Sequence, residues 1–372
     1  MNYIVVYPGS AILYTSILLL ATFLARIGGS STKYSGVATF VMVAMISIIA
    51  GARNFSVGID TAGYISDTLS YISNGNFKGA YGEIGFKFVC KILLYISGNR
   101  IGFVLFGLAF LTHGLNILRY RDFTSEHSFG LMVFLYLCLN YLPSMNVMAQ
   151  YMASAVIFWS TRYLQKQSYI KFFIGIAIAT TIHATSVIGV VFFFIHIVCG
   201  KQYRKKHKIR IAIGLLLLSI VYMIGMNYLM TYTKFAHYFN TYLLGKLNKF
   251  GLMVPIKLCL LLGLLCVLLH GRRQIKQKWS SFVAYSDEGV YIANACIAGV
   301  LFQAAGYFYS YMDRLCMAFA FYEPVLLSRK AWDKQNVVTP FFKWLLIFIA
   351  IYTFYLGIST NGHGNMPYVL RW

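Results

Sequence analysis

The chain has 372 residues, of which 59% are hydrophobic and only 11% charged, and its mean hydropathy is +0.66. So few charges cannot coat a water-soluble globule of this size, in which about a quarter of the residues are normally charged. The net charge of +22 does not mark a nucleic-acid binder, because most basic residues gather in short loops between apolar runs, the positive-inside pattern of a polytopic membrane protein.

Runs such as Ala11–Ala25, Gly36–Ala50 and Ile211–Met230 have membrane-spanning length. Barrel strands would be shorter and strictly alternating, so helices are the predicted way to satisfy backbone groups in lipid. Spans are expected near 8–25, 35–52, 101–118, 129–144, 147–164, 170–182, 184–199, 211–230, 253–270, 288–309, 315–328 and 339–357. The predicted fold class is therefore all-α, a polytopic integral membrane bundle of about twelve transmembrane helices in one domain over 1–372. The first run has no charged leader region or small-residue cleavage site and reads as a retained helix.

Six loops hold basic clusters: Arg26/Lys33, Arg119/Arg121, Arg162/Lys166/Lys171, Lys201 to Arg210, Arg272 to Lys278, and Arg329/Lys330/Lys334. They contain 20 of the 32 lysines and arginines, so they are assigned to the cytoplasmic side, which puts both termini outside. Parity then leaves Ile84–Ser97 as a half-crossing or re-entrant helix. It is short and carries Lys87 and Lys91, a composition tolerated beside a polar cavity rather than in open lipid.

The outer side of this topology holds the candidate chemistry. Arg53 opens a polar, glycine-containing turn that reaches Asp60 and Thr61, either of which suits a helix N-cap. From there to Asn74-Gly75 an amphipathic helix, with Ile65, Leu69 and Ile72 on one face, is too short to span and is expected in the interface. An arginine and an aspartate at that depth suit an anionic headgroup, although a snorkelling arginine and a capping aspartate explain them equally well. Asp67 reads as a solvated face. Glu83 either serves the site or pairs with Lys87 one turn on. His183, with Ser186 on the expected helical face, can shuttle a proton or donate to phosphate. His113, His196, His237 and His363 lack that setting.

Arg314, beside Asp313 and the tyrosines of 307–311, reads either as a local ion pair or as a diphosphate clamp. Thr231–Gly251, with lysines and His237 among aromatics, has the composition of an interfacial lid. The seven cysteines form no CxxC or Cys/His cluster, and neither a metal nor any other cofactor is expected.

Arg53, Gly58-x-Asp60-Thr61-x-x-Tyr64, Glu83-x-Gly85-Phe86, Gln150-x-x-Ala153, Ile182-His183-Ala184 and the late Arg314 occur in an order that resembles the EpsG-like branch of the Wzy-type polysaccharide polymerases. The likeness covers about residues 50–330, with one departure: Ala149-Gln150 stands where the family pattern carries Arg-Gln. The resemblance implies a GT-C-like, metal-independent, lipid-dependent glycosyltransferase of a bacterial inner membrane, working on the periplasmic or exterior face. It would transfer a growing O-antigen, capsule or exopolysaccharide chain from undecaprenyl diphosphate to an incoming lipid-linked repeat unit.

The implied partners are the undecaprenyl-diphosphate-linked oligosaccharide and membrane lipid, with a chain-length regulator and a flippase as candidates and no nucleic acid. Arg53 and Arg314 are assigned to the diphosphate, and Asp60 or His183 to the acceptor hydroxyl. Tyr64, Glu83, Gln150 and Thr61 are assigned supporting roles. A flippase of lipid-linked oligosaccharide is the rival from another class, and the absence of an internal repeat weighs against it. A ligase-type transferase is the closer rival.

Overall fold

An apolar chain in lipid must close its backbone hydrogen bonds locally, and every extended element described is a helix. The computed structural model describes residues 7–125, 127–199, 254–263, 282–305, 312–329, 338–361 and 364–371. Two compact units divide the chain: Met1–Val187 with Glu323–Trp372, and Ile188–Tyr322.

The first unit begins with α1 (Pro8–Gly28) and α2 (Ser35–Ala52). Next comes α3, which starts as Thr61–Gly63, widens into a π-helical turn at Tyr64–Leu69 and ends as Ser70–Ser73. It is followed by α4 (Ile84–Ser97) and α5 (Ile101–Arg121). A further apolar helix, α6 (Phe129–Asn146), carries a π-helical turn at Leu137–Tyr141. Then come α7 (Met148–Ser160) and α8 (Tyr169–Ile182).

In the second unit lie α9 (Val190–Cys199), α10 (Val254–Gly263), α11 (Phe282–Ala305) and the short α12 (Met312–Leu315) and α13 (Met317–Ala320). There α9 and α13 pack on α11, with Phe192 against Phe319 and Tyr322. The chain returns to the first unit, where α14 (Val338–Thr360) packs on the π-helical turn of α6.

Five described helices, in α1, α2, α5, α6 and α14, are long and apolar enough to cross a membrane. The protein is therefore a polytopic helical membrane protein. The expected runs at 170–182 and 184–199 form shorter apolar helices, as does α7, which takes up only 13 residues of the expected 147–164, and the described part of the run at 288–309 lies within α11. The expected span at 211–230, the lid at 231–251 and the clusters at 201–210 and 272–278 lie outside the described residues.

In the first unit, α2 packs on α1 and α5, α7 on α5 and α8, and α4 on α5 and α8. The two ends of this bundle differ in charge. At one end Asp122 holds Arg119 at 2.7 Å and Arg162 at 2.7 Å, and Arg119 donates to Gln165. Arg121 reaches Thr39, and the Arg26 stem lies against Gly130, so the basic loops of this unit converge there. The 53–60 loop caps the other end.

The interior between these ends is not wholly apolar. His113 Nδ1 lies 2.7 Å from the Tyr136 hydroxyl, which also accepts from Asn116. Asn140, in the π-helical turn, is buried with neither end of its amide hydrogen-bonded among the described residues.

Candidate functional site

The 53–60 loop owes its shape to a buried cation. Arg53 follows the last residue of α2 and is 1% exposed. Its Nη2 donates to the Met145 carbonyl (2.7 Å), its Nε to Val57 (3.3 Å) and its Nη1 to Ala50. Burial lowers its pKa to about 10, which leaves it charged at neutral pH. The expected guanidinium at an open mouth is thus not what this fold presents. Arg53 faces inward and lines, with Thr112, His113 and Ser144, a cavity of about 10 Å³, room for one water at most.

Gly58, in the same loop, has φ +97°, and a Cβ there would meet the Thr61 hydroxyl at 2.5 Å, so only glycine suits the turn. Thr61 is buried and donates to the Val57 carbonyl at 2.8 Å.

The C-terminal segment straps this loop from behind. Asn54 N–H donates to Val369, Gly58 N–H to Gly364 (2.7 Å) and Arg371 N–H to Ala52 (2.9 Å), while Arg53 and Leu370 form a β-bridge. Asn365 donates to the Leu142 carbonyl, and the Tyr368 amide donates to Ser10 of α1.

Asp60 sits at the N-cap position of α3 with its side chain exposed and making no capping bond. Its backbone N–H donates to Asn146 Oδ1 at 2.7 Å, which ties the loop to the end of α6. On the buried side of α3, Leu69 and Ile72 face the bundle as their spacing predicts. The π-helical turn changes the phase of α3 where Tyr64 projects. The Tyr64 ring packs on Phe86, and its hydroxyl accepts from Ala149 N–H in the first turn of α7 (3.4 Å). Burial raises the Tyr64 phenol, so it is neutral at physiological pH.

Ala149 thus offers its backbone where the family pattern has an arginine side chain. Gln150, next in that turn, donates to the Thr185 hydroxyl at 3.4 Å, and His183 Nδ1 lies 2.7 Å from the same oxygen.

Glu83 accepts the Ala184 N–H at 3.0 Å, beside His183, and Lys87 donates to the carbonyls of Phe77 and Ala80. The alternative Glu83–Lys87 pairing is therefore replaced by two separate attachments. Gly85 allows the first of them, because a Cβ there would meet Thr181 backbone atoms at 2.7 Å at the end of α8. Ser186 is buried, and Thr185 takes the partnership with His183 that helical spacing would give to Ser186. The reason is that His183 itself is extended (φ −152°, ψ 122°), which puts its side chain on the same side as that of the second residue on.

Tyr64, Glu83, Gln150 and His183 consequently share one cluster, reached from Asp60 through the first turn of α3. Arg314 lies exposed in α12 of the second unit. Thr185, Asn146 and the C-terminal strap are additions that the sequence motifs did not single out. Among the described residues no group of three histidine, cysteine or acidic side chains is arranged to hold a metal.

The fold and this cluster define a polytopic helical membrane protein with a polar constellation at one end of the bundle. The chain belongs to the EpsG family, whose model matches residues 37–370. No curated protein and no solved structure is significantly similar to it.

Proposed function

We propose that the protein is a polysaccharide polymerase. It takes a glycan chain from undecaprenyl diphosphate and transfers it to the incoming lipid-linked repeat unit, within a bundle of about twelve spans. Family membership over nearly the whole chain supports a role in exopolysaccharide or O-antigen assembly. The observation that carries the reading is the convergence of Tyr64, Glu83, Gln150 and His183, beside Asp60, at the bundle end opposite the Arg119–Asp122–Arg162 cluster. By the positive-inside rule the basic end is cytoplasmic, so the constellation faces the periplasm or exterior.

In the proposed reaction an acceptor sugar hydroxyl attacks the anomeric carbon of the growing chain. The new C–O bond forms as the bond to the diphosphate oxygen breaks, and the hydroxyl proton passes to a base. Asp60 takes that role, being exposed on a loop held by Asn146 and Arg53.

His183 is assigned the donor role. Thr185 accepts from Gln150, which leaves its own hydrogen to donate to His183 Nδ1. The imidazole proton then sits on Nε2, the atom assigned to donate to a phosphate or sugar oxygen. Tyr64 and Glu83 hold the α7 and 183–185 backbones in place. Arg53 positions the loop and adds positive potential, and Arg314 remains the guanidinium proposed to contact the diphosphate.

The test is complementation of a deletion strain. Asp60→Asn is expected to leave protein in the membrane at the wild-type level and only single capped repeat units on the gel. Polymer of normal length from that variant would end this assignment, and lipid-linked units trapped on the cytoplasmic side in the deletion strain would favour a flippase.

A further inference from the structure

The structure assigns the carrier's diphosphate, once the polymerase reading is granted, to a lysine row on α4. Three rows run along this helix. Phe86, Cys90 and Leu94 are buried in the bundle. Ile84, Phe88 and Ile92 are exposed at 66%, 59% and 42%, an apolar row that in a membrane protein meets acyl chains. One position back from each lies the row Glu83, Lys87, Lys91, so a polar row and a lipid-facing row run side by side along the helix. With 14 residues α4 is about 21 Å long, short of the 30 Å a span needs. Its start meets Thr181 at the end of α8, and Leu93, near its end, closes on Gly107 less than two turns into α5. Both ends thus stay near the bundle end that carries the 53–60 loop, as a re-entrant or interfacial helix requires.

The two ammoniums are built into position. The Phe77 ring lies 5.1 Å from Lys87 Nζ and 5.5 Å from Lys91 Nζ, and Lys87 is tethered to two loop carbonyls. Neither lysine has a carboxylate within ion-pair distance among the described residues. Two like charges one turn apart repel, and a multivalent anion relieves that repulsion better than a singly charged phosphodiester.

The matching ligand is an amphiphile with a compact, multiply charged head and a long apolar tail, which is the chemistry of a polyprenyl diphosphate. Its head meets Lys87 and Lys91 while its tail follows Ile84, Phe88 and Ile92. Glu83, one turn before Lys87, holds the backbone beside His183, so the diphosphate arrives next to the proposed donor. Arg53, with its hydrogens directed to carbonyls, does not compete for it.

Binding of undecaprenyl diphosphate to the purified full chain in phosphatidylcholine nanodiscs tests this, with phosphatidylglycerol as the second ligand. The double variant Lys87→Gln/Lys91→Gln is expected to bind the diphosphate at least about tenfold more weakly. Lys87→Arg/Lys91→Arg should restore it, and phosphatidylglycerol binding should change less than about twofold. Unchanged diphosphate affinity, or an equal loss for both lipids, overturns the assignment.

Should the double variant not fold, Lys91→Glu carries the test, because Lys91 Nζ makes no hydrogen bond to the fold among the described residues. It should weaken diphosphate binding at least about tenfold, and an unchanged affinity refutes the site. Wild-type protein that binds the carrier yet builds no polymer from lipid-linked repeats would end the polymerase reading and leave the site standing. A polymerising wild type whose double variant binds equally well ends the site alone. Wild-type protein that does not bind the carrier ends both.

Discussion

Replacing Arg53 with alanine separates a guanidinium that shapes a loop from one that grips substrate. The side chain bonds the carbonyls of Met145, Val57 and Ala50, and its removal strips a donor from three groups at the buried end of the bundle. An unmet buried polar group costs about 1–3 kcal/mol, and hydrogen bonds measured inside membrane proteins sit at or below the low end of that range. Taking about 1 kcal/mol for each of the three gives a loss of about 3 kcal/mol.

For a unit of this size each kcal/mol moves the midpoint by about 2–4 °C, so Arg53→Ala should melt about 6–12 °C lower. Intrinsic fluorescence of the detergent-purified protein reads the shift. Limited proteolysis should show earlier cleavage of the 364–371 strap, whose Asn54–Val369 and Arg371–Ala52 bonds depend on the loop. Arg53→Lys keeps the charge but not the planar fork and should fall about half as far. The reasoning is refuted if Arg53→Ala melts within about 1 °C of wild type and still makes no polymer, since the guanidinium would then act on substrate.

Thr185→Val removes the hydroxyl between Gln150 and His183 and should cut long-chain polymer at least about tenfold, the scale of one catalytic hydrogen bond. Thr185→Ser should restore it. A purely packing role would instead favour the isosteric valine. Asp122→Asn leaves the buried Arg119 and its neighbour Arg162 without their shared carboxylate and should cost about 2–4 kcal/mol in a thermal melt. It lies at the opposite end of the bundle, so chain length on the gel should be unchanged in the protein that folds. Truncation after Thr360 removes the strap and should lower the midpoint about as much as Arg53→Ala. Equal melting of truncated and full-length protein would show that the loop holds without it.

The sequence alone determined the class. Its hydropathy and charge place the chain in a membrane, and the runs at 8–25, 35–52, 101–118, 129–144 and 339–357 all form helices because a backbone in lipid has no other local solution. The ordered motifs also singled out Asp60, Tyr64, Glu83, Gln150 and His183, which the fold brings into one neighbourhood. Partnership was not legible, because it depends on how helices far apart in the chain meet.

Arg53 looks like an outer-face cation in the sequence, and only the arrival of Met145 from α6 and the 364–371 strap turns it inward. Thr185 displaces Ser186 because His183 is extended rather than helical, so its partner lies two residues on. Glu83 leaves Lys87 for Ala184 because Gly85 lets α4 touch the end of α8. Hydropathy is a sum over residues and survives any packing, whereas the direction of a side chain is set by a few close contacts that only the tertiary fold creates.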